Sequence, residues 1–157
     1  MENSVPMHAE PRLFLEDLPL GEDFACGRFA LTRDEIVAFA QRFDPQPWHL
    51  DDALAQASAF GALVASGVHT QAAAIGLLVR RIANVAVLFG GSLHESRFAI
   101  PVRPDTPHEV SARWTEARAS ASNPARGIAS VVGTARDPAG RTAMSFGVTY
   151  IVARRPA

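Results

Sequence analysis

No lysine occurs anywhere in this chain; all 15 basic residues are arginines. Together with the many alanines, this suggests a GC-rich, bacterial genome and says nothing about function. The formal net charge is −1. A charge so near zero gives no ground for a nucleic acid or an anionic membrane as the main partner. Arg80-Arg81 and Arg154-Arg155 are the adjacent arginine pairs, and the rest are scattered, so most read as solvated surface. One cysteine, Cys26, excludes an internal disulfide. It lies in a strand-like segment with no activating partner and reads as a packing residue. Long unbroken apolar runs are also missing. The most apolar region, residues 72–88, is interrupted by Arg80, Arg81 and Asn84, which excludes a membrane span there. Met1 to Pro11 carries acids and prolines without an apolar signal core, so a cytoplasmic location is expected.

What is present is enough for a globular core. The chain has 157 residues, 48% hydrophobic and 20% charged, which fits one domain that needs neither disulfides nor metal to fold. Residues 1–12 read as a tail and 13–157 as a single domain. Residues 21–31 read as a strand. Thr32 and Glu35 then form a capping box for a helix that ends near Arg42 and buries Ile36, Val37, Phe39 and Ala40. A short helix is expected around residues 52–57, and Phe60-Gly61 turns the chain into an apolar run, 62–65. Ser66-Gly67 opens the longest helix, expected over residues 68–88. Its apolar middle predicts burial on most sides, and Gly90-Gly91 is expected to end it. Four strands follow, at about 92–100, 109–119, 127–137 and 142–152, the last with clean alternation. Residues 137–140, Asp-Pro-Ala-Gly, read as a hairpin turn.

Consecutive strands joined by turns favour an antiparallel sheet. The economical arrangement is α+β, one curved sheet wrapped around the long helix, the hot-dog architecture. An open edge strand in such a sheet would pair with a second copy to give a dimer.

The stretch Phe43-Asp44-Pro45-Gln46-Pro47-Trp48-His49 carries the chemistry. Pro45 and Pro47 disfavour helix at the residues before them and stiffen the segment. A carboxylate and an imidazole that reach one water can move protons at neutral pH. Gly67, at the mouth of the long helix, offers a backbone N–H and the positive end of the helix dipole to a developing oxyanion. Asp44, His49 and Gly67 together suit chemistry beside a carbonyl. The structural alternative stands next to this. Asp before Pro is a common turn former, and a His near an Asp is often only a hydrogen-bonded pair. Spacing alone does not put both side chains in one cavity. Among the other histidines, His69 reads first as a structural hydrogen-bonding residue, and His94 and His108 as strand-edge surface. So dispersed a set does not make a zinc site.

The segment from Ile36 to Thr70 resembles the hydratase motif of MaoC-like dehydratases, the family of (R)-specific enoyl-CoA hydratases. The matching positions are Asp44, Pro47, His49, Ala55 and the helix-start Gly67. The stretch from Arg97 to Val110 resembles the family's strand–corner–strand, and the likeness runs from about residue 20 to 153. Five positions depart from the pattern: Phe43 stands for glycine, Gln46 for asparagine, Trp48 for an aliphatic residue, Pro104 for the corner glycine and Ser66 for a histidine. The resemblance implies reversible hydration of a trans-2-enoyl thioester to a (R)-3-hydroxyacyl thioester. Asp44 and His49 would activate one water, and Gly67 N–H would polarise the carbonyl. Ser66, Val68, Trp48 and Phe60 would help bind substrate. It implies no metal and no cofactor beyond a CoA or carrier thioester as substrate. It also implies a homodimer or dimer of dimers. Arg97 and Arg103 are candidates for the CoA phosphates. Two other readings stay open. A hot-dog thioesterase usually has an acid on the central helix, and residues 68–88 contain none. A non-catalytic acyl-binding or dimerisation module would have no chemical need for the acid, base and glycine.

Overall fold

A computed structural model describes residues 13–156; the expected tail, residues 1–12, lies outside them. Five antiparallel strands form one sheet: β1 (Asp23–Phe29), β2 (Val87–Phe98), β3 (His108–Ala119), β4 (Arg126–Arg136) and β5 (Thr142–Ala153). They lie in the order β1-β3-β4-β5-β2. Four α-helical segments lie between β1 and β2: α1 (Arg33–Phe43), α2 (Pro47–Leu50), α3 (Asp52–Gln56) and α4 (Gly67–Arg81). α4 packs on the sheet through β1, β3 and β5. The α+β arrangement is the hot-dog fold.

Local chemistry sets the boundaries. Thr32 N–H donates to Glu35 Oε2 at 2.7 Å and Glu35 N–H donates to Thr32 Oγ1 at 3.2 Å, closing the expected capping box of α1. The Asp137–Gly140 turn also forms, with Gly140 at φ 78° donating to Asp137 O at 2.9 Å. Two apolar clusters result. The larger joins Ala74, Leu78 and Ile82 to Trp114, Val131, Met144, Phe146 and Val148 of the sheet. The smaller joins Leu31, Ile36, Ala55, Leu63, Ala65, Val102 and Ala143, and forms the floor beneath α1–α3.

Several expectations are corrected. α4 ends at Arg81, not near Leu88, because Val85, Ala86 and Val87 leave the helix for sheet-like pairing; Ala86 N–H donates to Leu13 O at 2.8 Å. Gly90-Gly91 therefore does not stop a helix but lies inside β2. A Cβ on Gly91 would sit 3.2 Å from Thr149 O, so the glycine serves a close strand approach. α4 buries only the face of Thr70, Ala74 and Leu78, whereas Val68 and Val79 are 56% and 49% exposed in one chain. Residues 47–50 form a helical turn rather than a loop, since Pro at the first helical position has the right φ and no N–H to waste. His108 is buried, not surface, stacked on Phe29 with its Nδ1 donating to Thr106 O at 2.9 Å.

Candidate active site

Asp44 and His49 reach the same place from two adjoining elements. Asp44 caps the end of α1, its N–H donating to Ala40 O at 3.0 Å, and Pro45 keeps it out of helical geometry. Gln46 and Pro47 then start α2, where His49 N–H donates to Gln46 O at 2.9 Å. The result sets Asp44 Oδ2 3.6 Å from His49 Nε2. That is too long for a direct hydrogen bond, but one oxygen can lie within hydrogen-bond reach of both. Among the described residues this is the one carboxylate–imidazole pair within 4.0 Å.

The tautomer of His49 follows from its surroundings. The ring is buried, and Nδ1 lies 2.7 Å from Val64 O. A carbonyl only accepts, so Nδ1 carries the hydrogen and Nε2 the lone pair. Trp48 agrees independently: its indole N–H, a donor only, donates to His49 Nε2 at 3.1 Å.

Asp44 is held as a carboxylate. Ser66 Oγ donates to Oδ2 at 2.6 Å and Gln46 Nε2 donates to Oδ1 at 2.9 Å. The Ser66 hydroxyl first, then the Gln46 amide, hold its pKa below the ordinary 3.8, with a smaller contribution from His49, against the opposing effect of burial. Gln46 thus takes the supporting place where the family pattern has asparagine.

Ser66 is spent on structure. Besides donating to Asp44, its Oγ accepts from Val68 N–H at 3.2 Å as the cap of α4. Gly67 N–H makes no hydrogen bond among the described residues. A Cβ on Gly67 would lie 3.0 Å from the Phe98 ring, so only glycine lets that ring lie so close.

These groups line a cavity of about 490 Å³. Asp44, Gln46, Trp48, His49, Phe60, Gly67 and Val68 form one side, and Phe98, Pro101, Val102 and Ala143 the other. A larger hollow of about 670 Å³ lies elsewhere, lined by residues of the sheet including Ser111, Ser130, Thr134 and the ion-paired Arg113. Arg97 lines that hollow and pairs with Glu95 at 3.5 Å, away from the acid–imidazole pair. Arg103 donates to Phe60 O at 2.9 Å, beside the site. His69 stacks on Phe39 with ring centroids 4.3 Å apart. Its buried Nδ1 has no partner among the described residues, so the expected structural hydrogen bond at that atom is missing. Sequence reasoning missed Val64 and Phe98. No local pattern reveals that the Val64 carbonyl orients an imidazole, or that a strand residue 31 positions after Gly67 covers it.

The profile of the MaoC like domain matches residues 18–134. The chain belongs to the MaoC-like dehydratase family. A solved MaoC-like dehydratase from Rhodospirillum rubrum is 34% identical, with TM-score 0.81 over 92% of this chain and 99% of that one. The uncharacterized protein YdeM of Bacillus subtilis (strain 168) is 29% identical over 92 residues, which are 58% of this chain. The match spans 65% of YdeM, just under two thirds of its length. The (R)-hydratase from A. caviae involved in PHA biosynthesis shares the fold at 20% identity, with TM-score 0.68 over 90% of this chain and 99% of that one. In this MaoC-like chain, the matched span contains Asp44, His49, Ser66 and Gly67. No helix of the described residues is long and apolar enough to cross a membrane.

Proposed function

We propose that this protein reversibly hydrates a trans-2-enoyl thioester, with CoA as the first carrier to test, to a (R)-3-hydroxyacyl thioester. The observation that carries the proposal is the 3.6 Å gap between Asp44 Oδ2 and a His49 Nε2 whose tautomer leaves a lone pair there. A water in that gap has the Asp44 carboxylate as one proton acceptor and, once the Trp48 indole N–H no longer occupies it, the His49 lone pair as the second. As its oxygen bonds to Cβ, one acceptor takes a proton and the π electrons move onto the thioester oxygen. The proton then passes to Cα on the same face, so one water supplies both the hydroxyl and the hydrogen. Gly67 N–H, at the positive end of α4, donates to the oxygen as it becomes negative; loss of one such donor typically costs about 3 kcal/mol in the barrier. Trp48, Phe60 and Val68 are proposed as walls for the acyl group. No metal or redox cofactor enters the proposal.

A homodimer is part of the same reading. β2 lies at the sheet edge, and Leu88, Phe89, Leu93 and Phe98 along it are more than half exposed. An apolar edge of that length is an aggregation hazard unless something covers it.

The test is the loss of enoyl-thioester ultraviolet absorbance with crotonyl-CoA and with longer and branched enoyl-CoAs. Absorbance should fall with the native protein and stay level with Asp44→Asn and with His49→Ala. Full activity of His49→Ala on every active substrate would sink the proposed site. Release of free CoA thiol without hydration would point to a thioesterase instead.

A further inference from the structure

Both nitrogens of the His49 ring are hydrogen-bonded within the protein. Nδ1 is bonded to Val64 O, and the lone pair of Nε2 accepts the Trp48 indole N–H at 3.1 Å. An imidazole nitrogen has a single lone pair. While the indole holds it, water in the gap beside Asp44 has no acceptor on His49. We infer that Trp48 is a positioning residue whose indole N–H masks the lone pair of His49 and yields it when the acyl thioester enters. This rests on the hydratase reading above.

The surroundings of Trp48 suit that role. Its side chain is half-buried and lines the candidate cavity, where an entering acyl group would meet it. The indole ring lies beside Phe60 at a tilt of 50°, with centroids 5.9 Å apart, and stands edge-on to His49. Phe60 is 37% exposed and precedes Gly61, which turns at φ 68°. The indole N–H makes no bond besides the one to His49 among the described residues. It therefore has one contact to give up, and its ring offers the incoming acyl chain an apolar face to pack on. His49 stays fixed when that contact goes, because Val64 O holds its other nitrogen. Nothing in the bond between Trp48 and His49 is needed to orient the imidazole. A purely orienting role would duplicate what Val64 already does.

Two measurements test this. The chain has two tryptophans, Trp48 and the buried Trp114, so indole N–H signals in a ¹H–¹⁵N spectrum are assigned by Trp48→Phe. Butyryl-CoA, which has no double bond to hydrate, should shift the Trp48 signal and leave the Trp114 signal in place. The His49 Nε2 signal should shift with it. In turnover, Trp48→Phe keeps a ring against Phe60 and removes the donor. Free enzyme then has no bond to break before reacting, so kcat/KM should rise about two- to tenfold. A merely structural tryptophan predicts the opposite, a fall in kcat/KM. The inference is overturned alone if bound butyryl-CoA leaves the Trp48 signal unmoved, or if Trp48→Phe lowers kcat/KM or leaves it unchanged in an active enzyme. It falls together with the hydratase reading if no enoyl thioester is hydrated and butyryl-CoA does not bind.

Discussion

Strands β2 and β5 are hydrogen-bonded neighbours of equal length, 12 residues each, in opposite surroundings. β5 is central, and Met144, Phe146, Val148, Tyr150 and Val152 all sink into the core against α4. β2 is an edge, and no residue along it is fully buried. β2 carries five apolar residues against eight in β5, yet its Leu88, Phe89, Leu93 and Phe98 are large apolar side chains that stay more than half exposed, which composition does not explain. Position in the sheet does: a central strand has neighbours and a helix to pack on, whereas an edge strand in one chain has water. The same edge ends at Phe98, which lies over Gly67. The strand least buried in one chain therefore also borders the candidate site.

The comparison can be broken most sharply by truncating one aromatic on each strand. Phe146→Ala empties a site where the ring lies against Gly133, and should cost about 3–5 kcal/mol in urea unfolding. Phe89→Ala, at a ring that is 51% exposed and sits beneath the Arg126 guanidinium, should cost about 1 kcal/mol or less in a monomer. Equal losses would mean that β2 is not a free edge.

A smaller effect is expected at the start of α4. Ser66→Ala removes a donor from the Asp44 carboxylate and the cap of the helix, and should cost about 2 kcal/mol. The sign with pH is fixed. Asp44 has a lowered pKa in the fold, so its stabilisation is complete above the ordinary 3.8 and is lost as pH falls through the folded value. Without the Ser66 hydroxyl that gap narrows, so the acid loss should be smaller and should level off at a higher pH in melts recorded across the acid range.

Phe98→Ala sharpens the comparison at the border between edge and site. In a monomer, stability should change by about 1 kcal/mol or less, because the ring is half exposed. The preference among short, long and branched enoyl-CoAs should shift, because the ring covers Gly67; an unchanged substrate profile would separate β2 from the site.

The smallest effect concerns His69, on α4. Burial lowers its pKa from 6.5, with Glu35 opposing. A lowered histidine pKa means that the unfolded chain binds the proton more readily. Stability should therefore fall as pH drops below 6.5 and level off beneath the folded value. His69→Phe keeps a ring on Phe39 and should flatten that decline in thermal melts.

The site was legible in sequence to the extent that it is local. Asp44, His49, Ser66 and Gly67 lie within 24 residues, and prolines, a cap and a glycine fix their backbone. Those are short-range steric and hydrogen-bonding rules, so residue order alone carries them. The capping box of α1 and the Asp137–Gly140 turn were readable for the same reason. The end of α4 was not, because residues 85–88 are an apolar run that suits either a helix or a strand. The pairing of Val87 with Val152, 65 positions away, is what commits them to the sheet. Gly91 reads as a helix stop until Thr149 is known to lie against it.

Sequence by itself determined the composition of the acid–base pair, the stiffness of the segment that holds it and the antiparallel α+β fold. Tertiary structure alone decided three things: the 3.6 Å gap, the His49 tautomer set by Val64 O, and the Trp48 donor on the remaining lone pair. Each depends on where a side chain or carbonyl points once α1, α2 and the strand side of the cavity have packed. Direction of that kind comes from many weak contacts acting together, and no single stretch of chain encodes it.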